Sequence, residues 1–368
     1  MRSALFAIVL ALVSFATAHA ADDPVLAEAV GLPGTVMFLD SGAPGMVLVV
    51  VRGDRTLVRG YGETEKGNKH APDGSSLLRL NSITKVFTAE VLASLVAERK
   101  LALTDPLQRF AGEKVPGFGN RSITLLDLAT HSAALPREMG DAPEGTPPRT
   151  WPTRDDRWKW LRGYALPWSP GTIAAYSNVG FDLLADAMET AAGQSYTDLL
   201  RDRVTGPLGM TDTGFAPKPE QCARLMVGSG LGGPASCVDT HATDGSGGLY
   251  STGNDMARWL RHNLDEANGI LATSHAIYRS RQSMPAAIGF DEAAPMAGLG
   301  LGWVFVAAEG TRPALLEKSG GGAGFMSYIA FAPGRGIGLF VAVSRVDFPM
   351  FFALTDAANK LIASLVTR

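Results

Sequence analysis

The chain is poor in the residues that several chemistries require. It has two cysteines in 368 residues, Cys222 and Cys237, too few for a multi-cysteine metal cluster or a disulfide-dense scaffold. It has no His-Glu-x-x-His, and its six histidines stand singly, so a zinc hydrolase is disfavoured. Gly-x-Ser-x-Gly, the nucleophile elbow of α/β-hydrolases, is also missing. Lysines and arginines nowhere cluster and the formal charge is −3, which leaves no footprint for nucleic acid or anionic lipid. Gly228-Ser229-Gly230-Leu231-Gly232-Gly233 has dinucleotide-loop spacing, but no helix or ribose-binding acid follows it, and it reads as a plain loop. No metal site and no cofactor is expected.

Long apolar runs are also scarce, and the one present lies at the start. Arg2 precedes an apolar stretch from Ala4 to Thr17, interrupted by Ser14, and Ala18-His19-Ala20 forms a small-x-small cleavage site. Residues 1–20 therefore read as a signal peptide rather than an uncleaved anchor, leaving 368 − 20 = 348 residues with no second candidate span. That is enough for one large catalytic domain. In an oxidising compartment Cys222 and Cys237 should pair across 237 − 222 = 15 residues, worth about 3 kcal/mol, rather than persist as free thiols.

What remains reads as strand-rich ends around a helical middle: residues 21–81 and 290–368 as a sheet region, 82–289 as mainly helical. Gly45 to Val51 and Arg55 to Tyr61 predict a hairpin turning at Gly53-Asp54. Gly302 to Ala307, Ala314 to Glu317, Phe325 to Ala332 and Ile337 to Val343 predict further strands, with a terminal helix from Met350 to Val366. Helical spacing runs from Ser82 to Glu98, with shorter helices at 123–131, 181–192, 196–204 and 254–262. Pro136 to Thr153 holds five prolines and joins a stretch with Trp151, Trp158, Trp160 and Trp168. Those indoles read either as core packing, the favoured assignment, or as a wall that stacks carbohydrate or peptide.

Three short motifs carry the chemistry. Ser82-Ile83-Thr84-Lys85 opens a helix, and its i, i+3 spacing puts hydroxyl and ammonium side by side in the positive field of a helix start. Such a serine can act as a nucleophile whose proton the lysine manages, or it can be a mere helix cap. Tyr176-Ser177-Asn178 offers a phenol, normally titrating near pH ~10 but favoured as an anion by nearby lysines, and an amide that can bind both a carbonyl and a lysine. Lys318-Ser319-Gly320-Gly321 follows a strand. Lys318 and Ser319 can hold a carboxylate, the glycines allow close approach, and the Gly321 N–H could join that of Ser82 as an oxyanion hole. Each motif alone is close to chance.

Their order is not. Ser-x-x-Lys, Tyr-x-Asn and Lys-Ser-Gly in succession resemble the penicillin-binding-protein and class C β-lactamase family of serine hydrolases. "LLDLATHSAALPRE" (125–138), "WPTRDDRWKWL" (151–161), "AYSNVGFDLLADAM" (175–188), Gly206-Pro207-Leu208-Gly209-Met210, "GSGGLYST" (245–252) and the cysteine pair look like its periplasmic D-alanyl-D-alanine carboxypeptidase/endopeptidase branch. Ser319 departs mildly from the threonine many relatives carry. The resemblance implies an α+β β-lactamase/transpeptidase-like fold: a five-stranded antiparallel sheet flanked by helices, plus an all-helical region. It implies catalysis by Ser82, Lys85, Tyr176 and Lys318, with Asn178, Ser319 and Gly320 binding substrate. Peptidoglycan peptides are the expected substrates and β-lactams the expected acylating mimics, in the periplasm. Either Lys85 or Tyr176 could be the base. A class C-like β-lactamase, an esterase and a non-catalytic binding protein on the same fold are the alternatives. His131 is expected to be a buried structural histidine.

Overall fold

A computed structural model describes residues 23–147, 150–231, 233–234, 236–290 and 295–366. The expected signal peptide, residues 1–20, lies outside the described residues. An eight-stranded antiparallel sheet forms the centre. Numbered along the chain, its strands are β1 (Gly45–Arg52), β2 (Arg55–Gly62), β3 (Arg279–Ser280), β4 (Met296–Leu299), β5 (Val304–Val306), β6 (Leu315–Gly322), β7 (Phe325–Ala332) and β8 (Ile337–Val343). The spatial order is β2-β1-β8-β7-β6-β5-β4-β3. The expectation of five strands is thus corrected to eight. Five of them, β2, β1, β8, β7 and β6, are 7–8 residues long. The other three have only two to four residues, too few to show an alternating pattern.

Helices cover both faces of the sheet, which explains why β1, β7 and β8 are buried along nearly their whole length rather than at alternate positions. Along β1, Met46, Leu48 and Val50 pack with the helices α1 (Pro24–Ser41) and α8 (Phe348–Val366). Val47, Val49 and Val51 face the opposite layer, which contains α2 (Thr84–Ala97), α3 (Leu125–Ala129), α4 (Arg154–Gly163), α5 (Asn178–Ala192), α6 (Tyr196–Leu200) and α7 (Gly253–Asn263).

The sequence pattern left α1 unread, because Gly31, Pro33 and Gly34 break it. The structure shows what maintains it. The Asp23 carboxylate accepts from the Val25 and Leu26 N–H groups at 3.0 Å, and Pro24 occupies the first turn, where its missing N–H costs nothing. Gly34 lies where a Cβ would sit 2.2 Å from the Tyr61 hydroxyl, so its small size lets the helix lie close on β2. Packing outweighs propensity here.

Cys222 and Cys237 form the disulfide, with Cα atoms 5.7 Å apart. Of the glycine-rich segment between them, residues 228–231 lie in no helix or strand. Gly228 abuts Gly324, where a Cβ would meet backbone at 2.6 Å, so the glycines there serve chain-to-chain contact.

Candidate active site

The start of α2 is held against the β6–β7 hairpin. Residues Asn81–Ile83 form a 3₁₀ turn that runs directly into α2, and neither start has a side-chain cap. Ser82 is therefore not spent as a helix cap. Asn81, at φ 50°, donates from Nδ2 to the carbonyls of Gly322 (3.0 Å) and Phe325 (3.3 Å), and the Ser327 hydroxyl donates to Leu80 O at 2.9 Å. Gly320 completes the joint. A Cβ there would lie 2.2 Å from Leu80 O and 3.2 Å from Ser82 N, so the space its side chain lacks is filled by the protein's own backbone. Strand β5 pairs only with Leu315–Glu317 of β6, and the stretch from Lys318 to Gly322 runs past it toward Ser82.

Tyr176-Ser177-Asn178 forms the opposite wall. Ser177 caps α5, its Oγ accepting from Gly180 N–H at 2.9 Å while donating to Pro136 O at 2.7 Å. Tyr176 N–H is bound by Ile288 O and Asn178 N–H by Arg137 O, both at 2.9 Å. These bonds aim Asn178 at Lys85 and set the Tyr176 ring among three basic side chains. Lys85 Nζ lies 4.8 Å from the ring centroid, Lys318 Nζ 5.1 Å and the Arg137 guanidinium 4.8 Å.

Lys85 is fully buried and has three oxygen neighbours: Asn178 Oδ1 at 2.6 Å, Ser246 O at 2.7 Å and Ser82 Oγ at 3.4 Å. Burial, reinforced by the charge of Lys318, pushes its pKa well below the ordinary lysine value, with Asp182 and Glu138 pulling the other way. Nζ donates all three contacts as an ammonium; once one proton is lost, two N–H groups still bind Asn178 and Ser246 and the lone pair can take the Ser82 hydroxyl proton.

Exposure divides the motif residues into two groups. Lys85, Tyr176 and Lys318 are buried, whereas Ser82, Asn178 and Ser319 are half-buried and Gly321 is exposed. Lys318 also donates to Ser319 O at 3.0 Å. All three motifs therefore converge on one site, with the ionisable groups inside and the contact groups outside.

Four groups around this site were not singled out from the sequence. Glu138 accepts from Asn178 Nδ2, which fixes the orientation of the amide. Arg137 covers the outer side of Tyr176. The carbonyl of Ser246 holds Lys85. Asp182, one turn beyond Asn178 on α5, is a buried carboxyl raised to about 7, chiefly by burial. None of the four falls in a recognisable triplet, and only the fold brings them near Lys85. His131 is buried, and its ring stacks on Tyr176 with centroids 4.4 Å apart. Its Nδ1 accepts from Ser177 N–H at 3.0 Å, so the proton of the neutral ring sits on Nε2. Burial, then the charges of Lys85, Lys318 and Arg137, lower its pKa well below the usual value, which fits a structural histidine.

Comparison with known proteins agrees with this geometry. The chain is 42% identical to the D-alanyl-D-alanine-carboxypeptidase/endopeptidase AmpH of Escherichia coli K12, over 99% of this chain and 97% of that protein. A β-lactamase of the same organism is 26% identical over 88% of this chain and 89% of its own length. The crystal structure of a β-lactamase/D-alanine carboxypeptidase from Yersinia pestis, complexed with citrate, superposes with a TM-score of 0.87 at 41% identity, covering 94% of this chain and all of that one. An octameric penicillin-binding protein homologue from Pyrococcus abyssi shares the fold, with a TM-score of 0.74 at 21% identity over 88% of this chain and 76% of its own. The β-lactamase family model matches residues 23–364, and the chain belongs to that family.

Proposed function

We propose that this protein is an exported, periplasmic serine DD-carboxypeptidase/endopeptidase. It acts on peptidoglycan peptides through an acyl-enzyme on Ser82 and is itself acylated by β-lactams. The observation that carries the reading is the buried Lys85 amine, held by Asn178 and Ser246 with its third position facing Ser82 Oγ at 3.4 Å.

In this mechanism Ser82 Oγ attacks the carbonyl carbon of the penultimate D-alanine while its proton passes to Lys85 Nζ. The N–H groups of Ser82 and Gly321 receive the developing oxyanion. Lys318 and Ser319 hold the terminal carboxylate and Asn178 orients the acyl side. The C–N bond breaks as the leaving amine takes a proton through Tyr176, next to Lys85. Water then attacks the ester, gives up a proton by the same route and regenerates Ser82. The similarity to AmpH and to the Yersinia carboxypeptidase selects D-alanyl peptides among the acyl donors this site could take.

Purified muropeptides incubated with enzyme and separated by mass should show release of D-alanine and cleavage of cross-links, with Ser82→Ala inactive. Fluorescent penicillin should label wild type at Ser82. Sustained cephalosporin turnover without action on muropeptides would assign a β-lactamase instead, and hydrolysis restricted to short acyl esters an esterase.

A further inference from the structure

One residue along the chain from Glu138 begins a groove that the mechanism leaves unused. It is a cavity of about 520 Å³, lined by Met139, Trp151, Asp156, Lys159, Trp160 and Tyr164. Helix α4 carries most of it. A capping box fixes its start, with Thr153 Oγ1 accepting from Asp156 N–H and the Asp156 carboxylate accepting from Thr153 N–H at 3.0 Å. Trp160 and Tyr164 stand one turn apart on this helix with ring centroids 4.8 Å apart. Trp151 adds a second indole from the preceding segment.

The indoles Trp151, Trp158 and Trp160 are all half-buried, and Trp158 and Trp160 both pack against the core. Trp158 opens on a separate cavity, whereas Trp151 and Trp160 line this groove, with the Asp156 carboxylate and the exposed Lys159 ammonium beside them. A groove for an apolar partner would be lined by aliphatic side chains without ions. Flat rings flanked by a carboxylate and an ammonium instead match a pyranose, which offers a C–H face to stack and hydroxyl and amide groups to bind.

The chain itself links the groove to the Ser82 site. Met139 forms part of its lining, and the preceding residue, Glu138, binds Asn178, which orients the acyl side of the substrate. A chain leaving the acyl side past Asn178 and Glu138 would meet Met139 and then the aromatic wall. We propose that this groove binds the amino-sugar strand to which the scissile peptide is attached. The inference rests on the proposed peptidase function and adds that the enzyme reads the glycan as well as the peptide.

The test uses the full-length mature enzyme and, as probe, the β-1,4-linked tetramer of N-acetylglucosamine. Binding followed by tryptophan fluorescence should be saturable in wild type and weakened about tenfold in Trp151→Ala and in Trp160→Ala, with Trp160→Phe largely retaining it. In parallel, kcat/KM on a glycan-bearing muropeptide should fall about tenfold in both alanine variants, while the sugar-free peptide and penicillin labelling of Ser82 stay unchanged. Two variants from different segments guard against a folding defect in one. Absence of tetramer binding by wild type, or equal losses on the glycan-bearing and sugar-free substrates, overturns the proposal. Failure of the peptidase reading is separately visible as absent penicillin labelling, and the fluorescence titration still decides the groove.

Discussion

The chamber behind Ser82 and the ground in front of it are built on opposite principles. Behind, Lys85 is fully buried, its oxygen neighbours lie at fixed distances, and Asp182 and His131 are sealed in with it. In front, Ser319, Gly321, Arg137 and the indoles of Trp151 and Trp160 meet solvent. Burial makes charge expensive, and a lowered lysine pKa makes more of the amine available as free base. Exposure lets the front adapt to a substrate at little cost to the fold. The contrast teaches that reaction type belongs to the chamber and substrate choice to the rim.

Lys85→Met attacks the chamber most directly. It keeps the apolar stem and removes the amine, so kcat/KM and the rate of penicillin labelling should fall roughly 10²–10⁴-fold while thermal unfolding shows a folded protein. Full activity in this variant would move the base elsewhere.

The joint between the two regions can be probed with adjacent glycines. A Cβ at Gly320 would strike Leu80 O at 2.2 Å, whereas at Gly321 it would meet only the flexible Met326 Cε at 3.3 Å. Gly320→Ala should cost about 1–3 kcal/mol of stability and most of the labelling by forcing Ser82 off the strand. Gly321→Ala keeps its N–H and should change labelling only a few-fold. Equal effects of the two would break the distinction.

A subtler change sharpens it. An ionised Asp182 favours protonated Lys85, so Asp182→Asn should lower the lysine pKa further. In the proposed mechanism activity requires the neutral amine and is lost as pH falls through that pKa. The acid limb of kcat/KM should therefore move to lower pH, with activity on the alkaline side little changed. A limb that moves up or stays would show that Asp182 does not govern the charge of Lys85.

Much of this architecture was legible in the chain, for physical reasons that can be named. The hairpin at Gly53-Asp54 and the strands at 325–332 and 337–343 are long apolar runs between turn residues, and they match β1, β2, β7 and β8 closely. Helix α1 was hidden because Gly-Leu-Pro-Gly contradicts it locally, and strands β3 and β4 because they are too short to alternate, whereas β5 falls within the strand expected at 302–307. In the site, Ser82 and Lys85 were readable because three residues on a helix make a fixed geometry. Glu138, Ser246 and Asp182 were not, because their meaning comes from lying near Lys85 in space.

The sequence by itself therefore determined which groups stand together locally: a hydroxyl next to an amine on one helical turn, with a phenol, an amide and a second lysine following in a fixed order. Local spacing is enough for that, since helix and turn geometry hardly depend on context. Only the tertiary structure decided the state in which those groups work. It buries Lys85 with Ser246 and Asp182, closes the Ser82 joint at Gly320, and gathers Trp151 and Trp160 along one groove. Burial and long-range contact set those properties, and neither can be read from neighbours along the chain.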